Sequence, residues 1–118
     1  MKLVLVNAPQ LVTPGGPTGN TMIKLSGKAI SLDSVVPVVD TTMSVDNYSV
    51  CTKLTVNITY PIESSPYSSK DVITINGTSS SATSNNQAMI LMGDKGTGNA
   101  SGVTAEVISC GQTSTSAE

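Results

Sequence analysis

The chain has 118 residues and a net charge of −2, and only 12% of its residues are charged, about half the usual share. It contains no His, Arg, Phe or Trp, which excludes His-based catalysis, removes the commonest zinc ligand and leaves no basic footprint for a phosphate backbone. One domain is the expected count, and no apolar run approaches the roughly 18 residues of a membrane span.

The core must come from 13 Val, 8 Ile, 7 Leu and 5 Met, with Tyr48, Tyr60 and Tyr67 as the only aromatics. Such β-branched residues suit a pleated surface, and 15 Thr add to the same preference. Leu3 to Val6 is a continuous apolar run, which predicts a strand covered on both faces. It ends at Asn7 and Pro9, too soon for the apolar region of a signal peptide, so cytoplasmic synthesis without a signal is expected. Thr13 to Asn20 is rich in Pro and Gly and reads as a loop or extended arm. Thr21 to Leu25 alternates, and its phase reverses by Ile30 and Leu32, which predicts a bulge or tight turn at Ser26-Gly27-Lys28. Val35 to Val39 contains Pro37, which has no ladder donor and so marks an edge or a bulge.

Tyr48 to Tyr60 is the clearest element: its even positions are Tyr48, Val50, Thr52, Leu54, Val56, Ile58 and Tyr60, and its odd positions are mostly polar. Period two over this length predicts a long half-buried strand with its even face in the core. Loops are expected over Glu63–Ser69 and Asn76–Asn86, and strands over Asp71–Ile75, Ala88–Met92 and Val103–Cys110. Gly111 to Glu118 reads as a polar, disordered tail. No segment carries a helical period, so no helix beyond about two turns is expected. The architecture expected is all-β, a single-domain β-sandwich or jelly roll of about seven to eight strands with an extended N-terminal segment. Residues 1–20 form the N-terminal strand and arm, 21–110 the sandwich and 111–118 the tail.

Chemistry is sparse. The eight acids stand singly, near loops or strand ends, and read as solvated charge, so no catalytic residue is assigned and no metal or cofactor is expected. Gly93–Gly102 fits no phosphate-binding fingerprint and reads as a β-hairpin loop. Sequons at Asn47, Asn57, Asn76 and Asn99 number four against roughly two expected by chance from this composition, a weak excess read as accident. Cys51 and Cys110 both fall on the less apolar parity of their strands, away from the main core. They could form a disulfide if those strands are neighbours, and free thiols are the alternative.

The Pro/Gly-rich stretch Pro9 to Asn20 and the strand set from Thr21 to Cys110 resemble the small decoration or cement (staple) proteins of tailed bacteriophage capsids. The likeness spans the chain and contains no diagnostic motif. It implies a non-enzymatic virion protein that binds the capsid exterior and stabilises the shell by bridging neighbouring major capsid subunits. In that family copies often pair, so a homo-oligomer is implied, a dimer before a trimer, with no nucleic-acid or membrane partner. An apolar, structure-poor segment gains most by ordering against a second surface, so Leu3, Val4, Leu5, Val6, Leu11 and Val12 are the candidate contact residues. The alternative is a secreted or cell-surface β-sandwich, an adhesin or pilin-like subunit, in which Cys51 and Cys110 would pair. A carbohydrate-binding module lacks its aromatic platform.

Overall fold

The computed structural model describes residues 1–63, 66–84 and 86–118. Ser64, Ser65 and Asn85, inside two of the expected loops, lie outside the described residues. The described residues form ten strands: β1 (Lys2–Leu3), β2 (Ile23–Ser26), β3 (Ser31–Val45), β4 (Tyr48–Pro61), β5 (Ser68–Asn76), β6 (Thr83–Ser84), β7 (Gln87–Ala88), β8 (Lys95–Thr97), β9 (Thr104–Val107) and β10 (Ser116–Ala117). One short 3-10 turn, Pro9–Val12, is the helical element among them.

Two antiparallel three-stranded sheets, β3-β4-β5 and β2-β9-β8, face each other across the core. Leu54, Val56 and Ile58 of β4 and Ile73 and Ile75 of β5 meet Ile23 and Leu25 of β2 and Ala105 and Val107 of β9. This is the all-β sandwich the alternation predicts. The phase change after Leu25 is the crossing between the two sheets, and Gly27 makes the corner at φ 119°. The loop expected at Gly93–Gly102 is the β8–β9 hairpin.

The β3–β4 hairpin sets the long axis. Fifteen residues at about 3.3 Å each reach about 50 Å, and the molecule measures 46 × 23 × 22 Å. Its two-residue turn, Asp46-Asn47, has positive φ at both positions (53° and 70°), as a hairpin turn matched to strand twist requires. β3 is an edge strand, and Pro37 lies in it between register shifts at Leu32/Ser34 and Val38/Val39. Of the two alternatives for Pro37, edge and bulge, the edge applies: Pro37 pairs with Leu54 within an unbroken run from Ser34 to Val38.

The N-terminal segment is extended, bonded on both sides and not a free arm. The Leu5 N–H donates to the Ile90 carbonyl (2.9 Å) and the Leu5 carbonyl accepts from Cys51 N–H (3.0 Å). On its other side Val4 N–H reaches Thr115 O and Val6 N–H reaches Cys110 O, both 3.1 Å. Val4, Leu5 and Val6 are almost fully buried. The apolar run therefore finds both of its faces inside this chain, as its composition suggests. The Pro/Gly stretch is fastened too: Gly15 and Leu32 exchange two backbone bonds of 2.9 Å, and Asn20 ties Leu11, Thr13, Met22 and Ile23 through its amide.

The C-terminal segment, expected to be disordered, is ordered. Gln112 is buried, donating to Val4 O (2.7 Å) and Thr115 O (2.8 Å) while accepting from Ser114 and Thr115 N–H (both 2.8 Å). β10 pairs with β1, and Ala117 enters a second, smaller cluster with Val4, Val6, Val50, Met89 and Leu91. One polar side chain satisfying four backbone groups holds a segment whose overall polarity reads as free tail. Residues 1–20 and 111–118 thus belong to the sandwich.

Candidate interaction surface

The inner face of β3-β4-β5 lies in the core and its outer face is uncovered. The antiparallel register sorts the outward side chains into rows across the three strands: Ser34, Asn57 and Val72; Val36, Thr55 and Thr74; Val38, Lys53 and Asn76. Val36, Val38 and Val72 are each more than half exposed, at 55%, 51% and 53%. Asn57 Nδ2 donates to Ser34 Oγ (3.0 Å), which ties the first row together. Lys53 is the single charge among these nine residues. The result is a flat, β-branched and hydroxyl-bearing face with little to repel a partner.

One end of the face closes with a polar network. Asp33 accepts from Ser31 Oγ (2.7 Å), Thr59 Oγ1 (2.7 Å) and Lys70 Nζ (3.3 Å). These contacts, the Thr59 hydroxyl first, hold its carboxyl below the ordinary aspartate value. Lys70–Asp33 is the one ion pair among the described residues.

Three more aspartates fasten loops. Asp40 accepts from the Ser84 and Thr42 hydroxyls and from Thr42 N–H, and these bonds, Ser84 first, lower its pKa. For Asp71 burial pushes the pKa up, but the Ser101 hydroxyl (2.6 Å) and N–H (2.9 Å) outweigh it and the net shift is down. Asp94, almost fully buried, takes Thr78 Oγ1 (2.5 Å) and Leu91 N–H (2.8 Å). The sequence reading of these acids as solvated charge is corrected for Asp94, which is buried; Asp33, Asp40 and Asp71 stay part-exposed while each binds a hydroxyl. The Ser31–Asp33, Asp40–Thr42 and Leu91–Asp94 contacts are local in sequence, whereas Thr59, Lys70, Ser84, Thr78 and Ser101 come from far along the chain. Carboxylates with lowered pKa are weaker bases.

The candidate contact residues of the N-terminal segment are not brought to a surface together. Leu3 is half-buried, Val4, Leu5, Val6 and Leu11 are buried, and Val12 alone is exposed, at 42%. The residues of the outer face that replace them, Val36, Val38 and Val72, escape the sequence reading because an edge-strand valine and a core valine look alike.

The placement of the cysteines is also corrected. Cys51 and Cys110 are free, and both are buried in the main core cluster. Cys51 turns inward because Val38 pairs with Lys53 while the next β3 residue, Val39, pairs with Cys51, so Thr52 is an extra residue that shifts the phase. Cys110 turns inward because β9 stops at Val107 and the chain bends before Cys110 reaches the N-terminal strand. Leu5 bonds Cys51 and Val6 bonds Cys110. Successive residues of a strand point their backbone groups to opposite sides, so that strand runs between the two cysteines and their strands are not neighbours. Burial pushes the thiols up, to about 12 for Cys51 and about 11 for Cys110.

A groove of about 470 Å³ runs between the β3–β4 hairpin tip and β10, lined by Val4, Val45, Val50 and Met89 among others, with no ionisable side chain in its described lining. Among the described residues no three His, Cys, Asp or Glu side chains cluster as a metal site would require, and no helix is long and apolar enough to cross a membrane. Comparison with known proteins finds no matching family model, no similar curated protein and no similar solved structure.

Proposed function

We propose that this chain is a non-enzymatic structural protein that decorates the exterior of a virus capsid and cements it by bridging neighbouring major capsid subunits. The observation that supports this is the uncovered outer face of β3-β4-β5, with three half-exposed valines among uncharged polar residues. Covering the exposed half of a valine contributes about 1 kcal/mol. Strand and row spacings make the nine-residue face about 300 Å², well under the roughly 800 Å² per partner of a stable interface. A single copy would hold weakly through this face alone. A repeating shell offsets that, because a molecule touching two subunits, or pairing with a second copy, binds multivalently. The contact surface is therefore moved from the N-terminal segment, which the fold buries, to this sheet. The adhesin or pilin reading loses its disulfide, since Cys51 and Cys110 are free.

Co-sedimentation with purified capsids tests the proposal. The native protein should pellet with the particles, and Val36→Asp with Val72→Asp should stay in the supernatant while keeping its β-sheet circular dichroism. Normal pelleting of the folded double variant would remove this face from the reading. Failure of the native protein to bind any capsid of its own virus would remove the function.

A further inference from the structure

The long sheet outruns the short one at the end away from the β3–β4 turn. Ser26, Thr104 and Thr97 form the last row of the short sheet there. Ser101, in the loop beyond them, bonds Asp71 of β5. Asp71 stands opposite Ile58, the last fully buried residue of β4. β4 and β5 then run on in unbroken register for two more rows. Tyr60 pairs with Ser69, and Ile62 lies across from Tyr67, whose carbonyl accepts Ile62 N–H (3.3 Å). Residues two apart on a strand share a face, so these rows continue the face that carries Ile58 and Ile73 into the core. Tyr60 is half-buried, Ile62 is 37% exposed and Tyr67 is 65% exposed. Two of the three tyrosines thus sit with an isoleucine on a ledge of core-facing sheet that no second layer covers among the described residues.

We propose that this ledge is a docking surface for the same ledge of a second copy of the chain. A sandwich closes such a face with another sheet about 10 Å away. A two-fold axis running across the strands, midway between two ledges, places each one where the other copy's short sheet stops, as in a half-lap joint. The contact is isologous and closed, so it yields a pair and not a fibre.

Charge placement supports this occupant. Tyr60, Ile62, Tyr67 and Ser69 carry no charge, and the charges stand at the two ends of the ledge. Glu63, exposed, follows Ile62 at the tip. Lys28, also exposed, lies at the base, on the corner where β2 leads into β3. Two rows make the ledge roughly 13 Å long, and the two-fold axis sets the tip of each copy on the base of the other. Glu63 of one copy then faces Lys28 of its partner, twice per pair. The exposed parts of Ile62 and Tyr67 come to roughly 200 Å² per copy, under the roughly 800 Å² of a stable interface. The pair is therefore weak and forms as the protein concentration rises toward about 1 mM. It leaves the outer face of the sheet open and requires no capsid, so it stands or falls apart from the function proposed above.

Sedimentation equilibrium of the full chain, from about 10 μM to about 1 mM, tests the pairing. The average mass should climb from that of one chain toward that of two. Tyr67→Ser should weaken the pair at least about tenfold, as loss of an aromatic anchor does. Glu63→Lys or Lys28→Glu alone should weaken it about fivefold, because each change acts at both ends of the joint. The double variant Lys28→Glu, Glu63→Lys should return to within about twofold of the native protein, a rescue that only a self-partner allows. Circular dichroism should show every variant folded, since all three positions are exposed. A monomer at every concentration overturns the proposal. So does a dimer that Tyr67→Ser leaves intact, or a double variant as weak as the single ones.

Discussion

The two halves of β4 obey different rules. From Leu54 to Ile58 the strand has one covered face, and even residues are buried while Lys53, Thr55, Asn57 and Thr59 are exposed or half-exposed. From Val50 to Thr52 three consecutive residues are buried, because the N-terminal strand crosses there and a bulge at Thr52 shifts the phase. Val50 joins the small cluster while its neighbour Cys51 joins the main core. Alternation reports the number of covering layers, so it reads faithfully only where there is one.

The largest test of this difference is Val56→Asp in the single-faced half. Burying an unpaired charge at this fully covered position is expected to cost about 4 kcal/mol or to prevent folding, read from urea unfolding midpoints. Next comes Leu5→Ala, at the strand that covers the other half. A cost of about 3 kcal/mol is expected from the cavity and lost burial, and removing residues 1–12 should unfold the domain outright. A truncated protein that stays folded would return the segment to the status of an arm.

The thiols report on the doubly covered half without mutation. Iodoacetamide should leave both cysteines unmodified in the native protein and label both in urea. Their raised pKa values also make stability fall with pH: the unfolded thiols ionise from about pH 9 while the folded ones keep their protons to about 11 and about 12. Heating scans from pH 8 to 11 should show the melting temperature declining across that window. At the acid end the sign is opposite. Asp33, Asp40 and Asp71 are depressed in the folded state, so their contribution is present above the ordinary carboxylate pKa and fades as pH drops below about 4. A melting temperature flat from pH 5 down to 2 would show that these hydroxyl contacts contribute nothing.

Smallest of all is Thr55→Asp, on the outer face directly beside Val56. About 0.5 kcal/mol is expected. A cost matching Val56→Asp would mean that the outer face is covered in solution.

The long alternating strand, the all-β class, the doubly covered Leu3–Val6 run and the edge position of Pro37 are legible in the residues, because each is a local pattern with a local cause. The bulge at Thr52 is not: Thr and Cys fit either face, so nothing marks the extra residue. The anchoring of the last eight residues is hidden for a different reason. It rests on Gln112 and three serines, whose polarity describes a free tail as well as a fastened one. The outer face is half-legible: the sequence places Thr55 and Asn57 on the polar side of β4, but not beside the valines of β3 and β5.

β3, fifteen residues long, is an edge strand whose outer side Gly15 pairs at Leu32, with outward valines further along. A straight edge of that length would template a strand from a neighbouring molecule, and a chain made in many copies would be exposed to runaway polymerisation. Register shifts at Leu32/Ser34, Val38/Val39 and Asp40/Ser44 break the edge, and its longest regular stretch, Ser34–Val38, carries Pro37. That stretch is shorter than the roughly six residues that stack into fibrils, and its proline supplies no donor to an incoming strand. The irregularities of β3 thus keep copies from zipping together edge to edge, while leaving the flat face of the same sheet free to meet a surface.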